Sequence, residues 1–207
     1  MAGPEAHQHE HERHDEHEHH HHEHTVSYPD AVQLFRDDKD AFFRTHQRSP
    51  VPEAERAAFT GLPYYPVDES LRFDDLRLEA YSGDEPVFFQ IPTSDGKLRP
   101  AERAGVFRFP LGEGERTLTA YRFEGQAPED GEVFVPFLDA TSGTETYGAG
   151  RYLDLEPDDD GTYSLDFNLA YHPSCVYDPV YSCPLTPAEN RLPVRVEAGE
   201  RLDPDHP

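Results

Sequence analysis

The spacing of apolar residues along the chain changes period once. Val32, Phe35, Phe42 and Phe43 recur at helical spacing, while Asp37, Asp38, Lys39 and Asp40 fill the opposite face. That is the pattern of an amphipathic helix with one buried stripe. Ser27-Tyr28-Pro29-Asp30 opens it with a serine cap, a proline in the first turn and an acid three residues after the serine. Ser49-Pro50-Val51-Pro52 closes it, because a residue preceding proline is pushed out of helical conformation. The spacing predicts one helix over residues 28–47.

From about Glu69 the period becomes two. Leu71–Phe73 with Leu76–Tyr81, Val87–Ile91, Gly105–Phe109, Leu118–Phe123, Val133–Phe137, Tyr147–Leu155, Tyr163–Phe167 and Leu192–Glu197 alternate or run apolar. Ser82-Gly83-Asp84, Ser94-Asp95-Gly96, Gly112-Glu113-Gly114 and Pro128-Glu129-Asp130-Gly131 separate them with residues that suit tight turns. About eight short strands so spaced predict a mainly β fold, an antiparallel barrel or sandwich with one N-terminal amphipathic helix.

Composition narrows the partners. The 207 residues carry 42 acids against 18 bases, a formal charge of −24, so neither a nucleic-acid grip through basic patches nor an anchor on an anionic membrane is expected. With 35% hydrophobic residues and only short apolar runs, no membrane-spanning helix or secretory leader is expected either, and the reading is cytoplasmic. Lys39 and Lys97 are the only lysines beside 16 arginines, an acid-rich, lysine-poor balance that suits concentrated salt. Residues 1–24 hold ten of the 13 histidines, seven acids and one arginine, too little apolar surface to order a chain. They read as a disordered tail, followed by a helix and proline-containing linker over 25–58 and a single mainly β domain over 59–207.

In the tail, His7, His9, His11, His14, His17, His19, His20, His21, His22 and His24 offer many imidazoles with flexible reach. Such donors suit zinc or nickel. A second candidate metal set is His172, Cys175 and Cys183, whose spacing could supply three zinc ligands. The same two cysteines equally suit a loop-closing disulfide or a packed pair of reduced thiols.

Two segments concentrate hydroxyls, carboxylates and amides beside aromatics. The first runs from Phe137 to Leu153 and contains Asp139, Thr141, Ser142, Glu145, Tyr147 and Arg151; the second runs from Leu165 to Pro193 and contains Asn168, Tyr171, Asn190 and Arg191. Arg151 offers a planar fork suited to carboxylate or phosphate. These ten residues are candidates for binding a small polar ligand, or for a buried network that ties strand ends together.

The run from Phe137 to Arg191 resembles the uncharacterised family known as domain of unknown function 1684. The likeness rests on Asp139, Thr141-Ser142-Gly143, Glu145-Thr146-Tyr147, Gly150-Arg151, Asp166-Phe167-Asn168, Ala170-Tyr171, Pro173, Cys175, Cys183-Pro184-Leu185 and Asn190-Arg191. It extends more weakly through Phe59–Asp68. His172 stands where the family usually has asparagine and Thr186 where it has proline. The resemblance implies a mainly β fold and no particular activity. Three functions stay open: a module binding a small polar ligand, a hydrolase using Asp139, Glu145 or Ser142, and a metal-handling protein whose β domain docks a partner.

Overall fold

A computed structural model describes residues 26–127 and 130–203. The expectations of disorder and of metal binding for the histidine-rich tail therefore lie outside the described residues.

Helix α1 spans Tyr28–Thr45, where the sequence places it. The Ser27 hydroxyl accepts the Asp30 N–H at 3.4 Å, and His46 ends the helix in extended backbone. The buried row is rotated from the expected stripe. Val32, Arg36 and Phe43 are buried with Lys39 half-buried among them, whereas Phe35 and Phe42 stay 45% and 37% exposed. Two cations thus face inward, because the domain presents them with acceptors that the phenylalanines could not satisfy.

Seven strands follow among the described residues: β1 Arg72–Leu76, β2 Phe88–Pro92, β3 Leu98–Leu111, β4 Gly114–Phe123, β5 Val133–Phe137, β6 Arg151–Leu155 and β7 Tyr163–Asp166. Strands β2 to β6 form one antiparallel meander in chain order, and β1 pairs with β7 in a separate ribbon. The fold is mainly β, with two antiparallel sheets and one α-helix, and the larger sheet does not close into a barrel. The long β3–β4 hairpin turns at Gly112, whose φ of 68° suits glycine. At Gly105 β3 bulges, and a Cβ there would lie 2.5 Å from the Glu79 carbonyl of the crossing segment.

The large sheet is covered on both faces. Phe107, Phe109, Leu118, Val135, Phe137 and Leu153 pack with Leu165, Phe167, Leu192 and Val196 on one side. Ile91, Tyr121, Phe123, Phe134, Tyr152 and Cys183 form a second cluster on the other. This double burial explains why β5 is apolar throughout, since both faces of its pleat are covered.

The expected strand Leu192–Glu197 does not form. Leu192 N–H donates to the Leu138 carbonyl and Ala140 N–H to the Val194 carbonyl, but Pro193 lacks an amide to continue a ladder. Side chains take over from there, as described next.

Candidate functional site

Arg151 begins β6 and is fully buried. Its Nη1 donates to the Ala198 carbonyl at 2.5 Å and the Glu200 carbonyl at 3.0 Å, and its Nη2 donates to the Val196 carbonyl at 2.8 Å. The fork that could have read a ligand therefore holds the chain's own C-terminal segment, standing in for a partner strand. Asp139 balances its charge, with Arg151 Nη2 3.5 Å from Oδ1. The same carboxylate accepts from Thr141 Oγ1, Ser142 Oγ and, at 2.7 Å, the Val196 N–H. Thr141 and Thr146 share a further hydroxyl contact at 3.0 Å. Burial presses the Arg151 pKa down and the neighbouring Asp139 acts against that.

Glu145 stands at the rim, accepting the Tyr65 hydroxyl at 2.8 Å and Arg195 at 2.6 Å. The bonds from Arg195 and then Tyr65 hold its carboxyl below the usual range, while burial pushes the Tyr65 phenol up to about 12.

The other candidates lie apart from this network. Asn190 crosses from its turn to β4 and β5, accepting the Thr119 N–H and donating to the Thr119 and Pro136 carbonyls. Asn168 accepts the Asp68 N–H and donates to Asp68, Asp166 and the Tyr28 hydroxyl, tying α1 to the ribbon. Arg191 is exposed. Tyr171 bonds to Asp154, and its ring lies 4.7 Å from Lys39 Nζ.

The two segments meet at a buried hub that the sequence reading missed. Glu200, 1% exposed, pairs with Lys39 Nζ at 2.5 Å and accepts the His172 N–H at 2.7 Å and the Tyr177 hydroxyl at 3.0 Å. His172 Nε2 accepts the Tyr147 N–H at 3.3 Å. That bond assigns the ring proton to Nδ1, which faces Glu200 Oε2 at 3.6 Å. Desolvation, aided by the charges of Arg151 and Lys39, depresses the His172 pKa to about 3, so the imidazole is neutral. Lys39 carried a signal of its own, being one of two lysines in the chain.

His172, Cys175 and Cys183 do not gather as zinc ligands. The imidazole spends its nitrogens on Tyr147 and Glu200, and no cluster of three or more His, Cys, Asp or Glu side chains is arranged to hold a metal ion among the described residues. The cysteines are unbonded thiols, with the Cys175 N–H donating to Cys183 Sγ at 3.3 Å.

Beside the hub opens a cleft of about 600 Å³. The linker after α1 supplies Val51, Pro52, Phe59 and Leu62 to one wall; His172, Val176, Tyr177 and Arg201 supply the other. Arg201 is anchored through its N–H to the Pro63 carbonyl at 3.0 Å, and its guanidinium lies 5.2 Å from the Tyr65 ring centroid. Arg201 Nε has no hydrogen-bond partner among the described residues. Asp139, Arg151, Asn168 and Tyr171 line neither this cleft nor one of about 610 Å³ beside β2.

The sequence profile of the proteins of unknown function DUF1684 matches residues 57–201. The chain belongs to the DUF1684 family. The solution NMR structure of an uncharacterised protein of Haloarcula marismortui is 39% identical in sequence, with a TM-score of 0.63 over 85% of this chain and 95% of that one. No curated protein matches the chain. The DUF1684 match takes in the Arg151 network, the hub residues His172, Tyr177 and Glu200, and the cleft wall from Ala58 to Arg201, while Val51 to Glu55 and all of α1, with Lys39, precede it.

Proposed function

We propose that this DUF1684 protein is a binding module for a small amphipathic carboxylate, held in the cleft between the linker and the Arg201 segment. The observation that carries the reading is Arg201, whose Nε has no hydrogen-bond partner among the described residues, in a cleft where Val51, Pro52, Phe59, Leu62 and Val176 supply apolar surface beside the acids Glu55 and Asp203. A guanidinium fixes a carboxylate in orientation, and apolar walls hold the body of the ligand. Some of the polar candidates act behind this site: Arg151 with Asp139, Thr141 and Ser142 holds the segment that leads to Arg201, and the Tyr147 N–H sets the His172 ring. Asp139 and Glu145 already accept from named donors, which leaves a hydrolase built on them less support.

Sodium 2-naphthoate tests the reading by amide chemical-shift mapping and calorimetry. Shifts are expected at residues 51–63, 172–177 and 201–203, and Arg201→Gln should weaken binding about tenfold, or about 1.4 kcal/mol. Equal binding of neutral 2-naphthamide, or shifts elsewhere, would overturn it.

The composition of residues 1–24 favours a second, separate role in taking up zinc or nickel. Calorimetry of the full chain against one whose ten tail histidines are asparagine is expected to show uptake only by the former, weaker at pH 5 than at pH 7.5 because protonated imidazole cannot ligate.

A further inference from the structure

We propose that Cys175 and Cys183 form a reversible dithiol–disulfide pair, oxidised by peroxide, whose closure resets one wall of the cleft. Neither thiol is bonded to another, yet the Cys175 backbone nitrogen lies 3.3 Å from Cys183 Sγ. Cys175 lies near enough to Cys183 and to the Tyr147 phenol to help raise the pKa of each. A sulfur 3.3 Å from the other cysteine's own backbone nitrogen puts the two residues side by side, the proximity a disulfide needs to bring its β-carbons to about 3.5–4.5 Å.

The two cysteines have different surroundings, and this assigns their roles. Cys175 is half-buried in the short turn Ser174–Val176, whereas Cys183 is buried. Burial pushes the Cys183 thiol up to about 11, so Cys175 is the sulfur that meets an oxidant and Cys183 the one that resolves it. In the first step the Cys175 thiolate attacks one peroxide oxygen; the O–O bond breaks, giving a sulfenic acid and hydroxide, which takes up a proton to become water. In the second, Cys183 sulfur attacks Cys175 sulfur; the S–S bond forms, the S–O bond breaks, and the departing hydroxide leaves as water with the Cys183 proton. One peroxide is reduced to two waters and two thiols are oxidised, and an external dithiol reverses the change.

The pair is coupled to the cleft by where each cysteine is held. Cys183 is fastened to the turn after β2: its N–H donates to Ser94 Oγ at 3.0 Å and its carbonyl accepts the Ser94 N–H at 2.8 Å. Leu185 N–H continues the attachment at 2.8 Å to the Pro92 carbonyl. Bond formation therefore draws the Cys175 side, and the next two residues, Val176 and Tyr177, are cleft wall. Val180, between the cysteines and 77% exposed, gives the loop room to adjust.

The oxidation itself is independent of the cleft assignment; the effect on binding rests on it. Full-length protein treated with hydrogen peroxide should lose both thiols per chain in a free-thiol count, yield a cross-linked peptide lighter by two hydrogens, and regain both thiols in dithiothreitol. Cys183→Ser should instead give a Cys175 sulfenic acid that dimedone traps. Thiols that survive, pair between chains or oxidise irreversibly would overturn the pair. In the disulfide form 2-naphthoate affinity should change about fivefold, the low end of ordinary coupling between sites. An unchanged affinity would overturn the coupling. Absence of naphthoate binding in the reduced protein would strike the cleft reading alone, since the thiol count decides the pair by itself.

Discussion

Arg151 bonds to Val196, Ala198 and Glu200 by their carbonyls because the segment carrying them lacks a partner strand there. A lysine could not reproduce that planar reach. Arg151→Lys is expected to cost about 2–4 kcal/mol in urea unfolding, and Arg151→Met about 3–5 kcal/mol, because Asp139 would be left as a buried, uncompensated charge. A loss under 1 kcal/mol for both would remove the clamp from the account. His172 gives a residue-scale prediction of a different kind. Its folded pKa of about 3 lies below the ordinary histidine value near 6.5, so between those pH values the unfolded chain binds the extra proton. Its contribution is thus complete above pH 6.5 and is lost as pH falls toward 3, by at most about 1.4 kcal/mol per pH unit. Stability measured from pH 7 to pH 4 should fall less steeply in His172→Asn than in the natural chain.

At the scale of elements, α1 shows what hydrophobic spacing reveals and what it hides. Its limits were legible because Ser27, Pro29 and the prolines after Ser49 act locally. Its buried face was not, because Arg36 turns inward to the Tyr65 carbonyl and Lys39 to Glu200, acceptors far away in sequence. The β3–β4 hairpin was legible for the same local reason as the helix ends, whereas only the latter half of the expected Tyr147–Leu155 strand formed. Leu192–Glu197 reads as a strand by alternation, yet the Val194 carbonyl goes to the Ala140 N–H and the Val196 carbonyl to Arg151. The convergence of Asp139 with Arg151 was accessible from residue types; the cleft was not, since its Arg201, Phe59 and Tyr177 sit in segments without a shared motif. Lys39→Met is expected to destabilise by about 3 kcal/mol through the stranded Glu200 charge, and adding Glu200→Gln should recover part of it. Strict additivity of the two changes in denaturant midpoints would mean that the pair is not coupled.

For the whole molecule, charge is the dominant unbalanced quantity. Residues 25–207 carry 35 acids and 17 bases, a net −18, while the ion pairs seen gather only part of them. Salt should relieve the remaining repulsion, since screening shortens to about 3 Å at 1 M. The melting temperature is expected to be higher in 2 M than in 0.1 M potassium chloride; an equal or lower value would sink the salt-adapted reading.

The carbonyl clamp also sets an order of events during synthesis. The guanidinium of Arg151 finds its acceptors 45, 47 and 49 residues further along the chain. While the ribosome still holds Val196 to Glu200, the emerging sheet carries a buried cation paired with Asp139 but lacking its three carbonyl acceptors, and β6 is held by its ladder to β5 without the clamp. Stable docking of β6 is therefore tied to the emergence of Val196 to Glu200, and a nascent chain stopped before Val196 should be a readier substrate for proteases although β1 to β7 have been made. Protease resistance of stalled chains, ending at Arg195 or at Pro207 followed by a spacer that clears the exit tunnel, would reveal this gate as a jump that appears only in the longer one.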